Sequence, residues 1–155
     1  MSTQFPIADA HQHFWDPRVN YHPWLCDPPP VPFRYGDYSA LRRPYLPADR
    51  SAEGIAGWKR ALHALAACPN AAIKISGIGV RGTRWTPALN REVVLAAIEI
   101  FGARRALFAS NFPVDGLCAG FDEIYCGFRE IVKGFSALEQ RALFHDNAVR
   151  IYAME

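Results

Sequence analysis

Residues 14 to 50 hold eight of the chain's twelve prolines, among them Pro28-Pro29-Pro30. Proline has no backbone N–H and a fixed φ, so this stretch can be neither a regular helix nor a central strand. It is not a floppy linker either, because it also carries Phe14, Trp15, Tyr21, Trp24, Phe33, Tyr35, Tyr38 and Tyr45. Aromatic side chains at that density want burial. The segment reads as a long loop folded over something, with a short helical turn at Tyr38–Arg42. After Arg50 the texture of the chain changes.

That later part alternates. EGIAGWKRALHALAA (53–67) spaces Ile55, Trp58, Leu62 and Leu65 as one helical face, and Pro69-Asn70 stops it. AAIKIS (71–76) reads as a strand, followed by Gly77-Ile78-Gly79. ALNREVVLAAIEIF (88–101) is a second helix closed by Gly102, and RALFA (105–109) a buried strand. Residues 118–133 form a third helical segment, weakened by Gly120 and Gly127. Ser136 and Glu139 make a capping box for a fourth. Asp146 or Asn147 is the expected cap of a last helix through Tyr152. Helices alternating with strands predict an α/β fold with parallel strands. FPIADA (5–10) is a further short strand, with Pro6 where a missing N–H costs least.

The chain has 155 residues, enough for one domain (1–155), and half of them are apolar. A net charge of +2 and scattered arginines, paired only at Arg42/Arg43 and Arg104/Arg105, argue against nucleic-acid binding. No run approaches the ~18 apolar residues of a membrane span, and MSTQFPIADA lacks the charged start and apolar run of a signal peptide. Cys26, Cys68, Cys118 and Cys126 show no CxxC spacing. They read as reduced thiols of a cytoplasmic protein.

Three places carry candidate chemistry. His11 and His13 follow an apolar lead-in and precede Asp16-Pro17. At the end of a strand, i and i+2 share a face, so the pair aims two imidazoles at one point. They are then metal ligands, or else two unrelated loop residues. LFASNFPVD (107–115) looks like a buried parallel strand running into a ligand crevice. There Asn111 can hydrogen-bond but cannot act as a base. Asp115 can, unless it is a solvated loop residue. In IKISG (73–77), Lys74 either reaches the crevice or snorkels on an outer face. No P-loop, GxGxxG, GxSxG or HExxH pattern occurs.

Taken together, DAHQHFWDP, PNAAIKISGIG, LFASNFPVD and LFHDNAVRIYAM resemble the amidohydrolase-2 group of the amidohydrolase superfamily. The likeness is closer to its lactonase-like members, which hydrolyse sugar lactones and muconolactones. The resemblance implies a (β/α)8 barrel, with the HxH ending the first strand, an acidic residue ending the last, and further histidines on middle strands. Two departures matter. A TIM barrel typically needs ~250 residues. Here residues 1–50 resemble the family's beginning and 51–155 its final part, so an internal deletion at Arg50-Ser51 is expected. The retained strands would be the first and the last two, ordered Ala71–Ser76, Arg105–Ala109, Phe5–Ala10. The second departure is Asn111, which stands where many relatives have an aspartate base. Asp115 is then the candidate base.

The function so implied is hydrolysis of a lactone or related carboxylic ester of a small sugar acid or dicarboxylate. His11 and His13 would hold a divalent metal, zinc or manganese, or polarise the carbonyl in a metal-independent site. Lys74 or Arg18 would hold a substrate carboxylate. The open alternatives are an inactive barrel fragment acting through association and a decarboxylase of the same superfamily. Free strand edges predict a homo-oligomer.

Overall fold

The secondary structure follows the helix–strand alternation of the sequence. A computed structural model describes residues 6–9, 50–80, 82–112 and 114–154. All of these belong to one compact unit. The elements are α1 (Ala52–Ala66), β1 (Ile73–Ile75), α2 (Pro87–Phe101), β2 (Ala106–Phe108), a 3₁₀ turn (Val114–Leu117), α3 (Phe121–Ile131), α4 (Ala137–Arg141), a π-helical turn (Ala142–Asp146) and α5 (Asn147–Tyr152).

Local chemistry sets the helix ends. Ser51 Oγ accepts from Gly54 N at 3.1 Å to start α1, and Thr86 Oγ1 accepts from Leu89 N at 3.2 Å to start α2. Pro87 sits in the first turn of α2, where its missing N–H is harmless. Gly102 ends α2 with φ +77°, a conformation glycine tolerates. The Ser136–Glu139 capping box forms as expected, with Ser136 N donating to Glu139 Oε2 at 2.9 Å. The cap at Asp146 does not form. The chain is already helical there, because α4 runs through the π turn into α5. Asp146 instead pairs with Arg141 and His145.

β1 and β2 are parallel, with Ile73, Lys74 and Ile75 in register with Ala106, Leu107 and Phe108. Ile75, Ala106 and Phe108 join the core against the helices, and alternation along the strand leaves Lys74 on the other face, exposed. The centre of the core is aromatic. Phe128 of α3 stacks on Phe108 at 4.3 Å between ring centroids, and Trp85 meets Phe128 edge-on at 5.3 Å. Gly127, read as a weak point of α3, is required here: a Cβ on it would lie 2.1 Å from the Trp85 ring. Along α1, Ile55 and Leu62 are buried as the spacing predicts, but Leu65 is half exposed.

Two side chains tie the strand starts to the helices. The buried Asn147 Nδ2 donates to Ala103 O at 2.6 Å and Ala106 O at 2.7 Å. The Arg105 guanidinium gathers the carbonyls of Ala66, Cys68, Ala71 and Phe101 at 3.0–3.3 Å. Charge-assisted hydrogen bonds of this kind contribute roughly 1.5–3 kcal/mol each to stability. Arg105→Ala should therefore lower the urea midpoint by the equivalent of about 2 kcal/mol, and Arg105→Lys should recover only part. An unchanged midpoint would show that this guanidinium is dispensable.

The expected first strand, Phe5–Ala10, is not a strand over its described part. Pro6–Asp9 is irregular and pairs with neither strand of the two-stranded sheet. The reason lies in its hydrogen bonds. Pro6 has no N–H to give, and Ala8 N donates to Phe144 O at 2.9 Å instead of to β2. Beyond the end of β2, Ser110 N donates to the carboxylate of Asp9 at 2.9 Å, and Ser110 Oγ donates to the same group at 2.5 Å. A side-chain clamp takes the place of ladder bonds.

Among the described residues no helix is long and apolar enough to cross a membrane.

Candidate functional site

Parallel strands bring their C-terminal ends to the same edge, and in α/β folds that edge is where sites are built. β1 leads into Ser76–Val80. β2 leads into Ala109–Phe112 and the 3₁₀ turn. The two loops meet around Asp115.

Asn111 has φ +57°, a left-handed conformation that asparagine tolerates better than most residues. This turns the chain sharply after Ser110. Asn111 O accepts from Asp115 N at 3.1 Å, and Asn111 Nδ2 donates to Asp115 Oδ1 at 2.8 Å. Asp115 is 6% exposed, so it is not the solvated loop residue of the alternative reading. Burial pushes its carboxyl above the usual carboxylate range, opposed by hydrogen bonds from the Asn111 side chain and the Gly79 backbone. Both neighbours donate, so the group is held as an acceptor.

The glycines of the Gly77-Ile78-Gly79 loop make room for this pair. A Cβ on Gly77 (φ +65°) would lie 3.0 Å from Asn111 Nδ2. One on Gly79 would lie 3.0 Å from Cys118 Sγ and 3.5 Å from the Asp115 carboxyl carbon. The loop is fixed from behind by Arg50, whose Nη2 donates to Ile78 O at 2.8 Å and to Asn90 Oδ1 at 3.1 Å. Cys118 Sγ lies 3.6 Å from Val80 O. Burial, then the charge of Asp115, pushes its thiol upward, which makes it a poor nucleophile at neutral pH. Among the described residues Cys68, Cys118 and Cys126 are free thiols.

On the other side of Ser110, Asp9 is half-buried and lies near Tyr125 of α3. Burial and then the Asp9 carboxylate hold the Tyr125 hydroxyl far above its usual range, so it stays a neutral phenol.

The structure thus brings Asn111 and Asp115 together. Lys74 is on the exposed face of β1, in register with Leu107. His11, His13 and Arg18 lie outside the described residues. What the sequence reading missed is the role of Gly77 and Gly79 as the floor under Asn111 and Asp115. Two glycines around one residue at a strand end were the available signal.

Among the described residues no group of three or more His, Cys, Asp or Glu side chains could hold a metal ion. Asp115 is engaged by Asn111 and Gly79. The described donor set does not by itself fit a metal centre.

A family model described as Amidohydrolase matches residues 45–154, and the chain belongs to that family. It is 50% identical over 96 residues to the Sinorhizobium fredii protein y4mH, described as uncharacterized, covering 62% of this chain and 32% of that one. It is 35% identical over 113 residues to an L-fucono-1,5-lactonase of Burkholderia multivorans, covering 68% of this chain and 38% of the relative. The crystal structure of a Burkholderia multivorans amidohydrolase with bound HEPES superposes with a TM-score of 0.61 at 30% identity, over 72% of this chain and 41% of that one. A crystal form with bound zinc gives the same TM-score at 29% identity, over 70% and 40%. The chain spans about a third of the length of these curated relatives. Its α/β fold, with a small parallel sheet, matches part of an amidohydrolase barrel.

Proposed function

We propose that this amidohydrolase is a lactonase, hydrolysing the cyclic ester of a small sugar acid or dicarboxylate. The observation that carries the reading is Asp115, a buried carboxylate at the C-terminal edge of the sheet, where α/β folds build their sites. The 35% identity to an L-fucono-1,5-lactonase supports the lactone as substrate class.

In this reading Asp115 is the general base, because Asn111 has no basic oxygen or nitrogen near neutral pH. Water loses a proton to Asp115 and adds to the lactone carbonyl carbon. The tetrahedral adduct collapses with cleavage of the ring C–O bond, and the ring oxygen leaves as a hydroxyl carrying the proton Asp115 received. His11 and His13 polarise the carbonyl, or hold a divalent ion such as zinc or manganese. Bound there, an ion would supply a water of lowered pKa. Lys74, the exposed cation of β1, attracts the carboxylate of an anionic substrate or product.

The test is turnover of a panel of aldonolactones and muconolactones, with and without added zinc or manganese. Ring opening above background is expected, falling by about a hundredfold in His11→Ala, in line with the loss of a positioned imidazole. Wild-type rates no higher than those of His11→Ala, both at the uncatalysed background, would instead mark the chain as an inactive barrel fragment.

A further inference from the structure

We propose that Asn111, pinned between Asp115 and Gly77, determines specificity: its amide oxygen takes a hydroxyl of an uncharged, hydroxylated lactone and turns away carboxylate-bearing rings. This rests on the lactonase reading and narrows it to one of the two substrate classes allowed above.

The orientation of the amide is chemically forced. An ionised carboxylate only accepts, so the group 2.8 Å from Asp115 Oδ1 must be the Asn111 NH₂. Gly79 donates to Asp115 as well, which keeps the carboxylate an acceptor. On its other side the Asn111 amide lies against the bare backbone of Gly77. The position a Cβ would take is 3.0 Å from Nδ2, 3.4 Å from Cγ and 3.8 Å from Oδ1. A side chain there would crowd the amide, and Gly77 is itself at φ +65°, which side chains resist.

With the NH₂ end held, the Oδ1 end is left to a ligand. Asn111 is half-buried, and its oxygen accepts no hydrogen bond among the described residues. A ligand arriving there meets the negative end of the amide dipole, with the charge of Asp115 directly behind it. A hydroxyl donates into that field. A carboxylate is repelled by it, and burial of Asp115 reduces the solvent screening that would soften the repulsion.

The test compares two ligands that cannot be hydrolysed. One is an aldono-1,5-lactam; the other is the same lactam with its exocyclic hydroxymethyl group oxidised to a carboxylate. Binding is measured by titration calorimetry on the full chain. The wild type should prefer the neutral lactam by about tenfold, the size of one well-placed hydrogen bond gained or lost. Asp115→Asn removes the charge and lets the Asn111 amide turn either way, so the preference should shrink to about twofold or less. General damage to the site would weaken both ligands and leave their ratio alone. Should Asp115→Asn fail to fold, Asn111→Ala keeps Asp115 and should lose about tenfold in affinity for the neutral lactam. Equal binding of the two lactams to the wild type, or an unaltered neutral-lactam affinity in Asn111→Ala, would overturn the assignment while leaving the lactonase reading standing. Binding of neither lactam to the wild type would sink both.

Discussion

Phe128→Ala should destabilise the protein by about 4 kcal/mol, within the range for truncating a fully buried phenylalanine. The ring is 1% exposed, and three partners surround it: Phe108 stacked at 4.3 Å, Trp85 edge-on at 5.3 Å and Tyr125 edge-on at 6.0 Å. Removing it opens a cavity between α3 and β2 that those rings cannot close, because Gly127 already lets Trp85 approach the helix backbone as nearly as it can. For a chain of this length the melting temperature should fall by roughly 8–16 °C, read by circular dichroism. Leu138→Ala is the control. That side chain is 81% exposed, and its removal should shift the melt by no more than about 0.5 kcal/mol. A loss below about 1 kcal/mol for Phe128→Ala would mean that the aromatic cluster is not the centre of the core.

Asp115→Ala should lower lactone hydrolysis by between about a hundredfold and ten-thousandfold, the usual contribution of a positioned general base. The loss should fall on kcat more than on KM, since the group acts on the attacking water. The pH dependence carries a second signature. Burial raises the Asp115 carboxyl above its ordinary value, so the base form is lost at a higher pH than an exposed aspartate would allow. The acid limb of the rate profile should sit correspondingly high. Stability moves the opposite way. Between the ordinary and the raised value the folded protein binds more protons at this group than the unfolded chain does. Its contribution to stability is therefore full below that window and is lost as pH rises through it. Asp115→Asn should flatten that part of the urea-midpoint profile. A wild-type rate in Asp115→Ala would remove this residue from the chemistry altogether.

Much of the fold was legible because it is written in local signals. The Ser136–Glu139 pair announces a helix start through short-range hydrogen bonds, and Gly102 announces an end through its own φ. ALF is a fully buried strand and IKI a partly buried one that leaves Lys74 exposed, and they pair in the parallel sense that helical crossovers impose. Signals of this kind reach only a few residues. The Phe5–Ala10 reading failed over Pro6–Asp9 because its outcome depended on Ser110, a hundred and one positions away, which takes the Asp9 carboxylate in place of a ladder partner. The expected cap at Asp146 failed because the preceding helix never stopped.

The sequence by itself determined the α/β alternation, the existence of the helices, the strand pair and the presence of Asn111 and Asp115 near a strand end. Each of these rests on periodicity or on contacts within one or two turns. Only the tertiary structure decided that Asp115 is buried, that Asn111 turns its NH₂ toward it, that a side chain at Gly127 would not fit, and that one at Gly77 or Gly79 would crowd Asn111 or Cys118. Those outcomes depend on which distant backbone lies within a few ångströms, and no local pattern encodes that distance.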